Sequence, residues 1–192
     1  MAMHKFYHVT NTIPIKHKWG VCVYSVAVLE PASGKLASRL QDFFLAQEPA
    51  AAPTITGGAQ PDAFSGTYDL FVTATSDHID AIVPGDLRCQ ALLVPGDSPM
   101  ETVLQIPARW VVSFGLSGKD SITISSLEPD HAVLALQREL VTLNQRIVER
   151  QELPLHVPPG TSAAGVMAFY GALLLLDVTP EALHTAIHMP IV

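Results

Sequence analysis

Four short apolar runs, rich in β-branched residues, punctuate the chain as far as Gly115 and show little alternation with polar residues. They are "VCVYSVAVL" (Val21 to Leu29), "TYDLFVTAT" (Thr67 to Thr75), "CQALLVPGD" (Cys89 to Asp97) and "RWVVSFG" (Arg109 to Gly115). A strand with one wet face alternates. A run without alternation suits a strand covered on both faces, as in a parallel sheet. Between the first two runs, Leu36, Leu40, Phe43 and Phe44 recur at i, i+4, i+7 and i+8, which makes one apolar helical stripe. The Pro/Gly/Ala-rich stretch from Glu48 to Gly66 reads as a mostly irregular connection with one short strand. A Pro-Gly turn ends the third run, and Ser98-Pro99 offers a helix cap with proline at the first position. Strands that alternate with short helices predict a doubly wound α/β unit.

After Gly115 the texture changes. "SITISSLE" (Ser121 to Glu128), "HAVLALQREL" (His131 to Leu140) and "RIVERQELPLHV" (Arg146 to Val157) are strand-like without intervening helices. Thr142 to Gln145 would turn a hairpin, and Leu153, Leu155 and Val157 alternate as in a half-exposed strand. Two helices close the chain. One runs from about Thr161 to Leu176; the other opens with Thr179 as cap, Pro180 and Glu181. The expected fold is α/β: a three-layer, doubly wound, mostly parallel sheet (P-loop or Rossmann-like) with a small antiparallel extension. Residues 1–20 are polar and read as an N-terminal arm, an edge strand or an oligomer contact. Residues 21–192 read as a single domain, which a chain of 192 residues favours.

Composition narrows the function. Hydrophobic residues make up 48% and charged residues 15%, the reverse of a disordered chain. The net charge is -7 with no Lys/Arg block, which argues against a nucleic-acid binder. The first twenty residues hold no long apolar core of a signal peptide. The apolar stretch Ala163 to Leu176 falls short of the ~20 residues of a bilayer span and reads as a buried helix. A cytoplasmic protein without a membrane role is expected. Cys22 and Cys89 lie in or beside apolar runs, as buried free thiols do, and no C-x-x-C supports a zinc ribbon.

The stretch "SVAVLEPASGKLASRL" (Ser25 to Leu40) places Gly34-Lys35 between a strand and a helix, where a phosphate-binding loop sits. Such a loop aims successive backbone N–H groups at the anion. Pro31 has none and fixes its own φ, and Leu36 offers no oxygen to magnesium. Asp77, His78 and Asp80 cluster at a strand end, where open α/β sheets bind ligands. They read as a small-molecule or metal site, or as a helix N-terminus with Ser76 or Asp77 as cap. Glu181, His184 and His188 share one face of the last helix, a spacing that could hold a metal but with no further ligand in view. The functions of His4, His8 and His17 are unreadable. None of Ser113, Ser117, Ser125 and Ser126 lies in a G-x-S-x-G elbow, and no G-x-G-x-x-G follows the first run.

This order of elements resembles the central, ATP-binding domain of the Mur ligase family. That domain opens with a strand, a T-G-T-N-G-K-T loop and a helix, and later carries a T-N-I-x-x-D-H-L-D stretch. Here "SGKLASRL" stands at the loop, "FVTATSDHIDAI" (Phe71 to Ile82) at D-H-L-D, and "WVVSFGLSGKD" (Trp110 to Asp120) at a strand ending in "fG". "ELPLHVPPGTSAAGVMAFYGALLLLDVTPEAL" (Glu152 to Leu183) stands at the final strand and Ala-rich helix. The family joins amino acids to cell-wall precursors, or glutamates to folate. The resemblance implies nucleotide contacts at Ser33, Gly34, Lys35, Asp77 and His78, with ATP and magnesium as cofactors. The departures point the other way. Pro31 replaces a loop glycine, Ala32-Ser33 replace Thr-Asn, and no Glu lies between Pro49 and Ser76 to bind magnesium. No lysine is placed for carbamylation. The expectation is a stand-alone domain with a degenerate Walker A loop and no firmly implied cofactor or metal. It would bind or regulate, as a homo-oligomer or with a protein partner, with room for a small-molecule ligand. Two alternatives stand beside it: an ATP-dependent ligase completed by a partner, and a structural oligomer.

Overall fold

The structure is a computed structural model. It describes residues 7–8, 15–17, 20–22, 24–47, 49, 52–76, 79, 82 and 87–185, with side chains for those between 24 and 183. Among the described residues, thirteen strands and four α-helices follow in chain order. The strands at the centre are β4 (Ser25–Leu29), β5 (Thr54–Gly58), β6 (Gly66–Thr73), β7 (Leu87–Pro95) and β8 (Ala108–Phe114). They pair in parallel in the spatial order β5-β4-β6-β7-β8. At one edge β1 (Tyr7–His8) runs antiparallel to β5. At the other, β9 (Ile122–Leu127) meets β8 through one parallel pair, Phe114 with Ile122. Antiparallel β10 (His131–Leu136) and β13 (Glu152–His156) then complete a nine-stranded sheet. The expected antiparallel extension is thus a continuation of the main sheet.

Strand burial explains the sequence pattern. On β4, Val26 and Val28 join one core with Leu70, Val72, Ala91 and Leu93, under helices α1 (Leu36–Gln47) and α3 (Ala163–Leu175). Ala27, Leu29, Phe71, Leu92 and Val94 fill a second core on the opposite face. That core is covered by Phe64 beside a 3-10 turn (Pro61–Ala63), by Ile79 and Ile82, and by Val103 and Ile106 around the short helix α2 (Met100–Val103). Both faces are dry, so no alternation is needed. Every residue from Val166 to Leu176 is buried, so the apolar run near the C-terminus is core.

Several local expectations change. The run Val21 to Leu29 is two strands: β3 (Gly20–Cys22) forms a hairpin with β2 (Ile15–His17), and only β4 enters the sheet. Ser98 does not cap α2; its hydroxyl is buried without a partner among the described residues, and Pro99 takes the cap position. The strand-like stretches around the Thr142 turn break into shorter pieces. A hairpin of β11 (Leu140–Val141) and β12 (Ile147–Val148) leaves the sheet, turned by Gln145 at φ 63°. Ser162 caps α3, its hydroxyl accepting from the Gly165 N–H at 3.1 Å. Thr179 caps the last helix, α4 (Pro180–Thr185), as its sequence suggests, with its hydroxyl accepting from the Ala182 N–H.

One polar clamp holds the hairpin against the end of α3. Asp177 sits just past that helix at φ 72°, in the left-handed region. Its Oδ1 accepts from the Thr142 hydroxyl at 2.9 Å and from Arg146 Nε at 2.8 Å, and its Oδ2 accepts from Asn144 at 3.2 Å. Arg146 also donates to the Asp177 and Val178 carbonyls. Asp177→Ala removes three acceptor contacts and leaves alanine at a positive φ. It should cost about 1–3 kcal/mol of unfolding free energy. Urea denaturation checks this; a loss below about 0.5 kcal/mol, the range of an ordinary surface change, would mean the clamp does not couple to the fold.

Candidate functional site

Strand β4 is the point where the chain changes direction in the sheet. From its end the chain passes through α1 to β5 on one side, and later returns to β6 on the other. A crevice therefore opens beyond the carboxyl ends of β4 and β6, the place where sheets of this type bind ligands. Both sequence-predicted segments, Ser33 to Lys35 and Asp77-His78, follow these strand ends.

The mouth of the first segment is filled from within. Glu30 follows β4 directly, and its backbone N–H donates to the Gly58 carbonyl at 3.0 Å. Its side chain turns toward the start of α1. Oε2 accepts from the Leu36 N–H at 2.6 Å and Oε1 from the Ala37 N–H at 3.3 Å. The first N–H groups of a helix have no partner within it and carry a partial positive charge. Here they are bonded to the protein's own carboxylate, which is only 6% exposed. Gly34 makes room for it: a Cβ at that position would lie 2.5 Å from Glu30 Oε2. Ser33 and Lys35 lie exposed on the outer side of the loop, and Gly34 is half-buried.

ATP and magnesium do not fit this arrangement. Leu36 and Ala37 present no N–H to an outside anion, and a second negative charge would meet Glu30. The Leu36 side chain is buried apolar surface. Asp77 and His78 lie outside the described residues, as do Asp80 and His188; nothing is described of the His184 side chain either. Among the described residues, no three His, Cys, Asp or Glu side chains converge to hold a metal ion. Cys89 is buried and free, its thiol pushed up to about 12 by burial, so it is not a nucleophile.

Beside the filled loop lies an open cleft of about 550 Å³. It spans the carboxyl ends of β6, β7 and β8 and reaches the first turns of α3 at Ala163, Ala164 and Met167. It adjoins β4, because the Ala74 N–H donates to the Leu29 carbonyl at 2.8 Å. A buried carboxylate, Asp120 at 5% exposure, lines it. Asp120 Oδ2 accepts from the Ser117 N–H at 3.1 Å, and its own N–H donates to the Ser117 carbonyl at 3.0 Å. The carboxylate presses so close to Gly96 that any Cβ there would collide with it.

Sequence reasoning missed both carboxylates. For Glu30 the available signal is a charge directly after five strand residues and four positions before Gly34. Asp120 stood at the end of a quoted motif with nothing to mark it as buried.

No family model matches the chain, and no curated protein does. Solved structures do. Two crystal structures of MurF from Acinetobacter baumannii align with TM-scores of 0.54 and 0.55 at 11% and 12% identity. A third, of UDP-N-acetylmuramoylalanyl-D-glutamyl-2,6-diaminopimelate--D-alanyl-D-alanyl ligase from the same organism, aligns at 0.54 and 11%. The fold is Mur-ligase-like. Each alignment covers 88% of this chain and 46% of the other, so the chain spans about half the length of these ligases. At such identity the likeness concerns the fold alone.

Burial pushes the Glu30 carboxyl above the ordinary range, while the Leu36 and Ala37 N–H bonds and the charge of Arg39 pull it back only in part. A carboxyl with a raised folded pKa favours the folded state when protonated. Its contribution is full below the unfolded value, about pH 4, and is lost as pH rises through the folded one. Wild type should therefore lose stability relative to Glu30→Gln between about pH 4 and pH 7. Urea unfolding of both proteins across that range checks the sign. A difference that grows in favour of wild type as pH rises would mean the helix terminus outweighs burial.

Proposed function

We propose that this chain is a non-catalytic, Mur-ligase-like domain that works by binding or regulation, linked to cell-wall precursor metabolism. The observation that carries this reading is the Glu30 carboxylate bonded to the Leu36 and Ala37 N–H groups. Phosphoryl transfer depends on positioning the phosphates and neutralising their charge. A loop that holds a carboxylate where the phosphates would go, with Pro31 and Leu36 in place of a donor and a metal ligand, supports loss of ligation. Regulation implies a second macromolecule, either another copy of this chain or a different protein. Met100 and Leu104, exposed beside α2, supply apolar surface for such a contact.

Thermal unfolding with and without excess ATP and magnesium tests the reading. A ligand at 100 times its dissociation constant adds about 2.7 kcal/mol, readily seen as a shifted midpoint. The expected result is no shift at millimolar nucleotide. The alternative, an ATP-dependent ligase completed by a partner and using Lys35 with Asp77 and His78, requires a clear shift that Lys35→Ala removes.

A further inference from the structure

We propose that the cleft at the ends of β6, β7 and β8 binds a small molecule with a cationic amine head and an apolar body. This names a ligand class for the binding role proposed above and rests on that role. An ionised carboxylate has about four acceptor positions. At Asp120 a single described donor, the Ser117 N–H, reaches Oδ2. Oδ1, lying over Gly96, has no hydrogen-bond donor among the described residues, yet the side chain is buried and lines the cleft. A donor arriving through the cleft would fill acceptor positions that the described residues leave open.

The surroundings specify the donor. Asp97 adds a second carboxylate to the lining, and no lysine or arginine is among the described lining residues. The electrostatics therefore favour a cation over a phosphate or carboxylate. The N-terminus of α3, which could attract an anion, already has Ser162 as its cap. Phe114, Leu116 and Met167 give the cleft a largely apolar wall, in which Thr75, Ser76 and Ser117 are the neutral polar side chains. The volume of about 550 Å³ lies within the range of small-molecule sites, which pair apolar walls with a few placed polar groups. An ammonium group on Asp120, with a ring or alkyl body against Phe114 and Met167, satisfies both halves of the cleft.

Amide NMR of the full chain tests this with three probes: benzylammonium chloride, benzyl alcohol and ATP with magnesium. Benzylammonium should move the Gly96, Gly115, Ser117 and Asp120 amides saturably, and benzyl alcohol should bind about tenfold more weakly or worse. Asp120→Asn keeps an acceptor for the Ser117 N–H while removing the charge. It should weaken benzylammonium by about tenfold and leave benzyl alcohol unchanged. If that variant fails to fold, Ala164→Trp fills the cleft from an exposed position and should abolish the benzylammonium shifts. Equal binding of the alcohol, shifts scattered over the surface, or insensitivity to these variants would overturn the proposal. The ATP arm separates the two readings. ATP shifts at Leu36 and Ala37 would sink the non-catalytic reading and leave the cleft assignment standing. Silence from both ATP and benzylammonium would sink the cleft alone.

Discussion

The carboxylate of Glu30 joins three elements that would otherwise meet only through apolar contact. Its backbone is tied to the end of β5 through the Gly58 carbonyl, and its residue follows β4 directly. Its side chain bonds the first N–H groups of α1. A helix that begins next to a sheet must satisfy those groups from outside itself. Nucleotide-binding sheets leave the task to a ligand's phosphate. Here the chain does it with its own acid, so α1 is anchored whether or not a ligand is present. Gly34 leaves the space that this carboxylate fills, since a Cβ there would collide with it.

The same logic runs through the polar groups elsewhere. At the opposite end of the sheet, Asp69 accepts from Ser25 and from Gln90 at 2.6 Å, which ties β4, β6 and β7 together where the strands begin. Asp177 fastens the β11–β12 hairpin to the end of α3. Each of these acids is spent on structure. Asp120 differs, because one of its oxygens remains open toward a cleft. Gln41, buried on α1, has no hydrogen-bond partner among the described residues.

Much of the architecture was legible because burial on two faces leaves a simple trace. The non-alternating runs became β6, β7 and β8 within one or two residues, and the stripe from Leu36 to Phe44 became the inner face of α1. The Thr142 to Gln145 turn and the Thr179 cap followed from local chemistry alone. What failed was long-range. Nothing local in Val21 to Leu29 shows that Gly20–Cys22 would pair with Ile15–His17 rather than join the sheet. At the loop, the sequence shows Pro31 without an N–H and Leu36 without a side-chain oxygen, but not which group bonds the first N–H groups of α1. Glu30 reads as a loop acid until the chain folds it six residues forward onto Leu36. Asp120 becomes notable only when β7 brings Gly96 beside it.

The two sides of the region beyond the strand ends differ. The loop side is closed by a fixed carboxylate, and the neighbouring side remains open and acidic. The most direct test of that account is an NMR pH titration that follows the Glu30 side-chain carboxyl carbon together with the Leu36 and Ala37 amides. The account predicts that all three titrate together, with a common midpoint above that of ordinary glutamates. A Glu30 carboxyl that titrates like an exposed one, with flat Leu36 and Ala37 amides, would show that the carboxylate does not close the helix and would reopen the loop to phosphate.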